Sequence, residues 1–390
     1  MDVMNNIIKN REVFYISGYD PRGYRYYYSL YKKNAKLQNK VNNLNLQISK
    51  TRNIDENIVS CDITSNKDTH TIYNFLLWND IVKENWAEGF FSNFLDTLYF
   101  IKMYLLSGIF VRFTKESKEQ LIAGLYPLFY LMSTLSVISY FSYKTYQFTL
   151  TYIPAYITIG ISFLIFFLGI KLIEVIANKI AVFWLSRIYA FCAKWGENRI
   201  SKVDDRVEYF AKHIFERIKE NNNKDKEFIL SAHSVGTILA IGIANNVIKN
   251  CIQSNIDYSN FKLLTLGHCI PLVSFQRKSK NHKKVLEELG KTRDFLWLDY
   301  TAAIDGACFC VDPIKSSGIN RERDCGPILM SPRFFKLFKK ENYKKIKKEK
   351  YKAHFLYLYS TDLAGNYDYF DITAGNKPLE YRIKNYMKEK

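Results

Sequence analysis

Apolar residues recur along this chain in three rhythms. Short unbroken runs of strand length occupy residues 12–17, 71–78, 228–231, 261–266 and 295–300, with weaker ones at 44–49 and 58–63. Helical spacing, with an apolar residue every three or four positions, governs the tyrosine-rich residues 24–37. The same spacing governs residues 201–219 (Val207, Phe210, Ala211, Ile214, Ile218) and residues 237–248. The third rhythm is continuous. Residues 121–143 and 152–170 carry no charge, and each is about long enough to cross a bilayer core as a helix. Residues 98–113 and 181–195 are also apolar but contain Lys102, Arg112 and Arg187. They are predicted to lie in the membrane interface as amphipathic helices, with a four-span bundle as the alternative.

Strands and helices stand on both sides of the uncharged pair, and no stretch repeats. The predicted fold class is therefore α/β, with helices on both faces of one sheet. That domain is divided into residues 1–96 and 201–390 by a membrane insertion at 97–200. Lys115, Lys118, Lys171, Lys179, Arg187 and Lys194 flank the hairpin, whereas the link 144–151 has one lysine. The positive-inside bias then predicts a multi-pass protein of the inner membrane, with the sheet domain in the cytoplasm. Tyr143, Tyr146 and Tyr152 would anchor the far interface. Residues 333–352 are dense in lysine and aromatics, and 362–375 read as turns.

Composition adjusts this picture in a few places. The net charge is +18, with 48% hydrophobic and 16% aromatic residues. Such a balance suits an anionic membrane face or a nucleic acid, but no helix-turn-helix, RRM or zinc-finger pattern supports the latter. The expected partners are a lipid bilayer and, through the lysines of 336–352, anionic lipid head groups. The seven cysteines show no C-x-x-C spacing, which points to a reducing compartment. No basic stretch leading into an apolar core opens the chain, so no secretory signal is expected. The two uncharged spans carry nothing ionisable to line a path, which argues against a pore or transporter.

The candidate chemistry lies at Ala232-His233-Ser234-Val235-Gly236, between a predicted strand and a predicted helix. This is the G-x-S-x-G elbow with Ala in the first place. The sharp turn lifts a serine hydroxyl above a sheet, and small residues on either side let strand and helix approach. A serine nucleophile needs a base, and the base an orienting carboxylate, in the chain order nucleophile, acid, histidine for this elbow. His268 comes too early for that order, and His282 lies among lysines and reads as solvated. His354 is the expected base. Asp305, just past a strand end, is the expected acid, with Asp299 as runner-up. The N–H groups of Val235 and of Tyr19, after Ser17-Gly18, are the expected oxyanion donors. No metal or organic cofactor is required.

Residues 14–23 (Phe-Tyr-Ile-Ser-Gly-Tyr-Asp-Pro-Arg-Gly), Trp78-Asn-Asp-Ile-Val82, Ala232–Gly236, Trp297–Tyr300 through Asp305-Gly306, and His354–Leu358 together resemble a group of bacterial membrane-associated α/β hydrolases. The resemblance covers nearly the whole chain outside the hairpin. It implies an α/β-hydrolase-like sheet, with Ser234 as nucleophile, Asp305 as acid and His354 as base. Ser17, where many hydrolases carry His-Gly, and Ala232 are departures. The expected activity is that of a membrane-anchored serine hydrolase of the esterase or lipase kind, acting on an acyl-ester or lipid-like substrate. The alternatives are an acyltransferase and an inactive, membrane-tethered binding or scaffold protein.

Overall fold

The structure is a computed structural model that describes residues 7–116, 118–221 and 226–388. It divides into two units, one formed by Met1–Glu84 with Trp195–Lys390, the other by Asn85–Lys194.

The first unit is an α/β unit built on a mixed sheet, with nine strands among the described residues. They are β1 (Asn10–Ile16), β2 (Gln47–Ile48), β3 (Arg52–Asp55), β4 (Ile58–Thr64), β5 (His70–Leu76), β6 (Lys226–His233), β7 (Phe261–Leu266), β8 (Leu296–Tyr300) and β9 (Pro327–Met330). The order is β2-β4-β5-β1-β6-β7-β8-β9, with β3 paired to β4. From β5 to β9 all neighbours are parallel, and β4 joins β5 antiparallel. The central strands are buried at nearly every position and mostly apolar, because both faces are covered, as parallel sheets require; Arg11, Glu227 and Lys262 are buried there in mutual ion pairs.

On one face lies the helix Tyr24–Asn42. It buries Tyr27, Tyr31, Asn34, Ala35 and Gln38, a stripe at helical spacing. Tyr31 packs on Tyr73 of β5 with ring centroids 4.8 Å apart, and its hydroxyl meets Thr373 Oγ1 at 2.7 Å. On the other face the helix Ser201–Glu220 buries Val203, Val207, Phe210, Ala211, Ile214, Phe215 and Ile218. His213 of that helix meets Phe14 of β1 edge-on at 6.1 Å. The two expected layers of helix are thus present. Strands β3 and β9 were not foreseen, and the reading of 362–375 as turns is corrected by a helix at Tyr369–Ala374. Asp368 caps that helix by accepting from the N–H groups of Phe370 and Asp371 at 2.9 and 3.0 Å.

In the second unit, Lys118–Thr149 and Ala155–Lys179 are the long helices. By length and composition, two helices among the described residues are suited to cross a membrane, and only 17% and 6% of their most apolar windows are buried. The first runs past both ends of the expected 121–143, while the second begins at Ala155 and runs on past 170 to Lys179, so the link becomes the few residues 150–154. Leu131, Ile173, Ala177, Val182 and Phe183 form the small core, with Phe90 and Phe94 against it.

The regions expected to lie flat in the interface behave differently. Gly89–Phe100 continues through a π-helical turn at Ile101–Leu105, and the chain then bends by 77° into Ile109–Glu116; taken as one span this pair would be a third crossing. The helix Val182–Gly196 is a packing helix. Tyr189 sits 4.8 Å from Phe100, Ser186 meets Thr97 at 3.1 Å, and Arg187 stacks over Trp86 at 4.6 Å while donating to the Ala87 carbonyl. The same contacts move the unit boundaries from 96 and 200 to 84 and 194. Residues 89–100 pack on this bundle, while Trp195 meets His282 edge-on within the sheet unit.

Candidate active site

Strand β6 lies between β1 and β7 and ends on His233; the chain then turns at once into the helix Gly236–Gln253. Ser234 occupies the turn with φ 57°, a left-handed conformation that costs a non-glycine residue energy. Its N–H donates to the Leu266 carbonyl at 3.0 Å, which ties the bend to β7. The two small neighbours answer differently. Ala232 is fully buried in register with Ile16 and Thr265, and its methyl group fits there. Gly236 has no such room, because any Cβ there would collide with the Ser17 carbonyl oxygen. That oxygen is already held by Trp78 Nε1–H at 2.9 Å.

The parallel arrangement brings the loops after β1, β6, β7 and β8 to one end of the sheet, where sites of such sheets form. Gly18 lies directly beside the serine, since a Cβ on it would stand 2.9 Å from Ser234 Cβ. Tyr19 follows, buried, with its ring 6.3 Å from Trp78. Val235 is the N-cap of the following helix, so its N–H belongs to the first turn, where backbone donors have no intrahelical acceptor.

His354, from the short helix Lys350–His354, brings Nε2 to 2.8 Å from Ser234 Oγ. Its Nδ1 lies 2.8 and 2.9 Å from the two carboxylate oxygens of Asp305. With Nδ1–H given to the carboxylate, Nε2 holds the lone pair that accepts the serine hydroxyl. Burial by itself pushes the Asp305 pKa up. The electrostatic attraction and hydrogen bond of the His354 ring, with the Ala307 N–H at 3.0 Å, outweigh that and hold it below the usual carboxylate value. Ser234, His354 and Asp305 are 3%, 1% and 0% exposed, so the three lie under a closed surface.

Asp299, the runner-up acid, is elsewhere. Its Oδ1 accepts from Thr265 Oγ1 at 2.6 Å, and burial keeps its pKa well above the ordinary value. The nearest imidazole is that of His268, at 3.8 Å, too long for a hydrogen bond. His268 itself donates from Nε2 to the Val311 carbonyl at 3.0 Å. His282 is not a solvated loop residue: it lies in the helix Lys280–Leu289, and burial beside Trp195 pushes its pKa down to about 4.

Three supporting residues were not legible as such. His233 Nε2–H donates to the His354 carbonyl at 2.8 Å, and burial, with the neighbouring His354 ring, pushes its pKa down to about 3, so it works as a neutral donor. The Tyr357 hydroxyl accepts from the Ala302 N–H at 3.0 Å, bracing the loop that carries Asp305 against the segment after His354. Cys269 Sγ lies 3.8 Å from Ser234 Oγ and donates to the Ala307 carbonyl at 3.3 Å. Only His233 carried a signal, its place beside the serine. Among the described residues no group of three or more His, Cys, Asp or Glu is arranged to hold a metal ion.

No family model, curated protein or solved structure matches the chain. Any statement about its chemistry therefore rests on the geometry just described. That geometry pairs a serine with an imidazole acceptor and the imidazole with a buried carboxylate, the relay needed to activate a hydroxyl.

Proposed function

We propose that the chain is a membrane-anchored serine hydrolase of the esterase or lipase kind. The reading is carried by one observation, the unbroken run Ser234 Oγ to His354 Nε2 and His354 Nδ1 to Asp305, both at 2.8 Å, with the serine at a strained bend. Ser234 Oγ attacks an acyl carbonyl while His354 takes its proton. Asp305 stabilises the imidazolium, and the N–H groups of Val235 and Tyr19 serve the oxyanion. His354 then protonates the departing alcohol. Water, deprotonated by the same imidazole, releases the acid from the acyl-serine. No step needs a metal or organic cofactor. His233 keeps the base in place by holding its carbonyl.

The fold proposed is the α/β-hydrolase sheet, entered at the elbow. The two long apolar helices cross the inner membrane, with the sheet unit on the cytoplasmic side where the basic flanks would hold it. Such tethering suits an ester that partitions into lipid. An inactive relative of the same fold would leave the strained backbone of Ser234 without a purpose, which favours the enzyme over the scaffold reading.

The test is labelling of the membrane-embedded full chain with a fluorophosphonate, alongside turnover of short p-nitrophenyl esters. Wild type should be labelled. Ser234→Ala should lose the label and on the order of 10³-fold or more in turnover, and His354→Ala should lose most of both. Wild-type turnover from Ser234→Ala would remove the proposal.

A further inference from the structure

The stretch 336–352 leads directly into the base and is the most basic part of the chain, with nine lysines against Glu341 and Glu349. Eight of the lysines are exposed, Lys352 being half-buried. Leu337 and Phe338 anchor the start of the stretch in the core, and Tyr343 packs against it. Ile346 is the buried residue of the helix Lys340–Lys348, while Asp362 accepts from the Lys339 N–H and the Asn342 amide at 2.9 and 2.8 Å. Large apolar groups stand among the charges: Phe335 is 59% and Tyr351 40% exposed. A run of lysines alone is commonly a solvated helix face. Lysines interspersed with outward aromatics, in a chain with two helices suited to cross a bilayer, fit an anionic membrane surface better than water alone.

The same stretch forms one rim of the site. The Tyr351 hydroxyl accepts from Arg22 Nη2 at 2.8 Å, and Arg22 belongs to the loop whose Gly18 lies against Ser234. The Tyr351 ring packs on Phe355, next to the base, at 5.0 Å. Tyr351 shares the helix Lys350–His354 with the base, and His354 has its own fastenings, to His233 and Asp305, which hold the base in place when the Tyr351 side chain leaves Arg22.

We propose that residues 336–352 bind the head groups of an anionic bilayer, and that this contact draws the Tyr351 rim off Arg22 and opens the closed site to substrate. The second half rests on the serine-hydrolase reading. Head-group phosphates would exchange water and counterions for the exposed lysines, and Phe335 would enter the interface. The bilayer is favoured over a nucleic acid because the spanning helices hold the chain at one.

The experiment uses the full chain in nanodiscs of phosphatidylcholine, with or without a third of phosphatidylglycerol. Amide hydrogen exchange is followed across 336–352 and fluorophosphonate labelling at Ser234. In the anionic discs the amides should exchange about tenfold more slowly, and salt should reverse the effect by screening. Lys344→Glu, Lys345→Glu, Lys347→Glu and Lys348→Glu combined should abolish it, and the matching Gln set should weaken it with less risk to the fold. Ser234 should label several-fold faster in the anionic discs. Equal exchange in both discs would overturn the surface. So would protection that an RNA oligonucleotide or inorganic phosphate, added to neutral discs, reproduces. Equal labelling beside unequal exchange would overturn the opening. Protection with no labelling in any disc would uphold the surface and sink the hydrolase reading instead.

Discussion

Asp305→Asn tests the proposed relay at its innermost member. In wild type both carboxylate oxygens stand within 2.9 Å of His354 Nδ1, in a site whose three groups are at most 3% exposed. When His354 takes the serine proton, a full charge forms opposite a fixed one. At about 4 Å between charge centres and an effective dielectric of about 20, their attraction is about 4 kcal/mol. Lost from the transition state alone, that is about a thousandfold in rate. Asparagine also turns an amide N–H toward Nδ1, which favours the tautomer whose Nε2 carries a proton and cannot accept from Ser234. The expected loss in turnover is therefore 10³- to 10⁴-fold, on the order seen when a triad carboxylate is made an amide. The assay is steady-state ester hydrolysis with the fluorophosphonate labelling rate, on protein whose circular dichroism and melting temperature match wild type. Asp299→Asn is the paired control. Asp299 faces Thr265 rather than an active imidazole, so its amide should stay within about threefold of wild type. Retention of activity by Asp305→Asn to within about tenfold, or an equal loss from Asp299→Asn, would refute the relay.

Asp299→Asn carries a second expectation. The folded pKa of Asp299 is raised, so the unfolded chain gives up this proton first, and stability falls as pH rises above the ordinary carboxylate value. The variant should therefore melt higher than wild type, by a margin that widens from pH 5 to pH 8; a constant margin would contradict it. His233 acts in the opposite sense. Its folded pKa is about 3 against 6.5, so stability is lost as pH falls from about 6.5 toward about 3. His233→Gln should recover about 3 kcal/mol of that loss at pH 4.5 in urea melts. At neutral pH the glutamine should keep most activity, while His233→Ala loses about tenfold through the freed His354 carbonyl. Gly236→Ala should cost folding yield or labelling, because the new methyl group meets the Ser17 carbonyl; an unaltered labelling rate would show that strand and helix can separate there. Carbonate washing should leave the full chain in the membrane pellet, and its release would argue against spanning helices.

How far the pattern of residues foretold all this depended on whether an element's reason lay within itself. β1, β5, β6, β7 and β8 were legible because a strand covered on both faces carries a short run of adjacent apolar residues, even where charged residues stand at its end or within it. β3 was not, since all four of its residues are exposed and its pairing with β4 shifts between Asn53 and Asp55. β9 is a four-residue edge strand that opens on Pro327, so it carries too few residues to show a period. The elbow was legible because a sharp strand-to-helix bend restricts which residues can flank it. His282 misled because its chain neighbours are lysines, while the partner that covers it, Trp195, comes from far upstream. Arg187 misled for the same reason: a charge in an apolar helix suggests a surface, yet Trp86 and the Ala87 carbonyl receive it. The same logic explains why His354 could be named and its support could not. Chain order singles out one late histidine, but no spacing rule says that His233, a hundred and more residues earlier, will hold its carbonyl at 2.8 Å. The groups of the proposed relay announce themselves by type; what fixes them in reach of one another is supplied by the sheet, which sets β6 beside β1 and β7 and gathers their loops at one end.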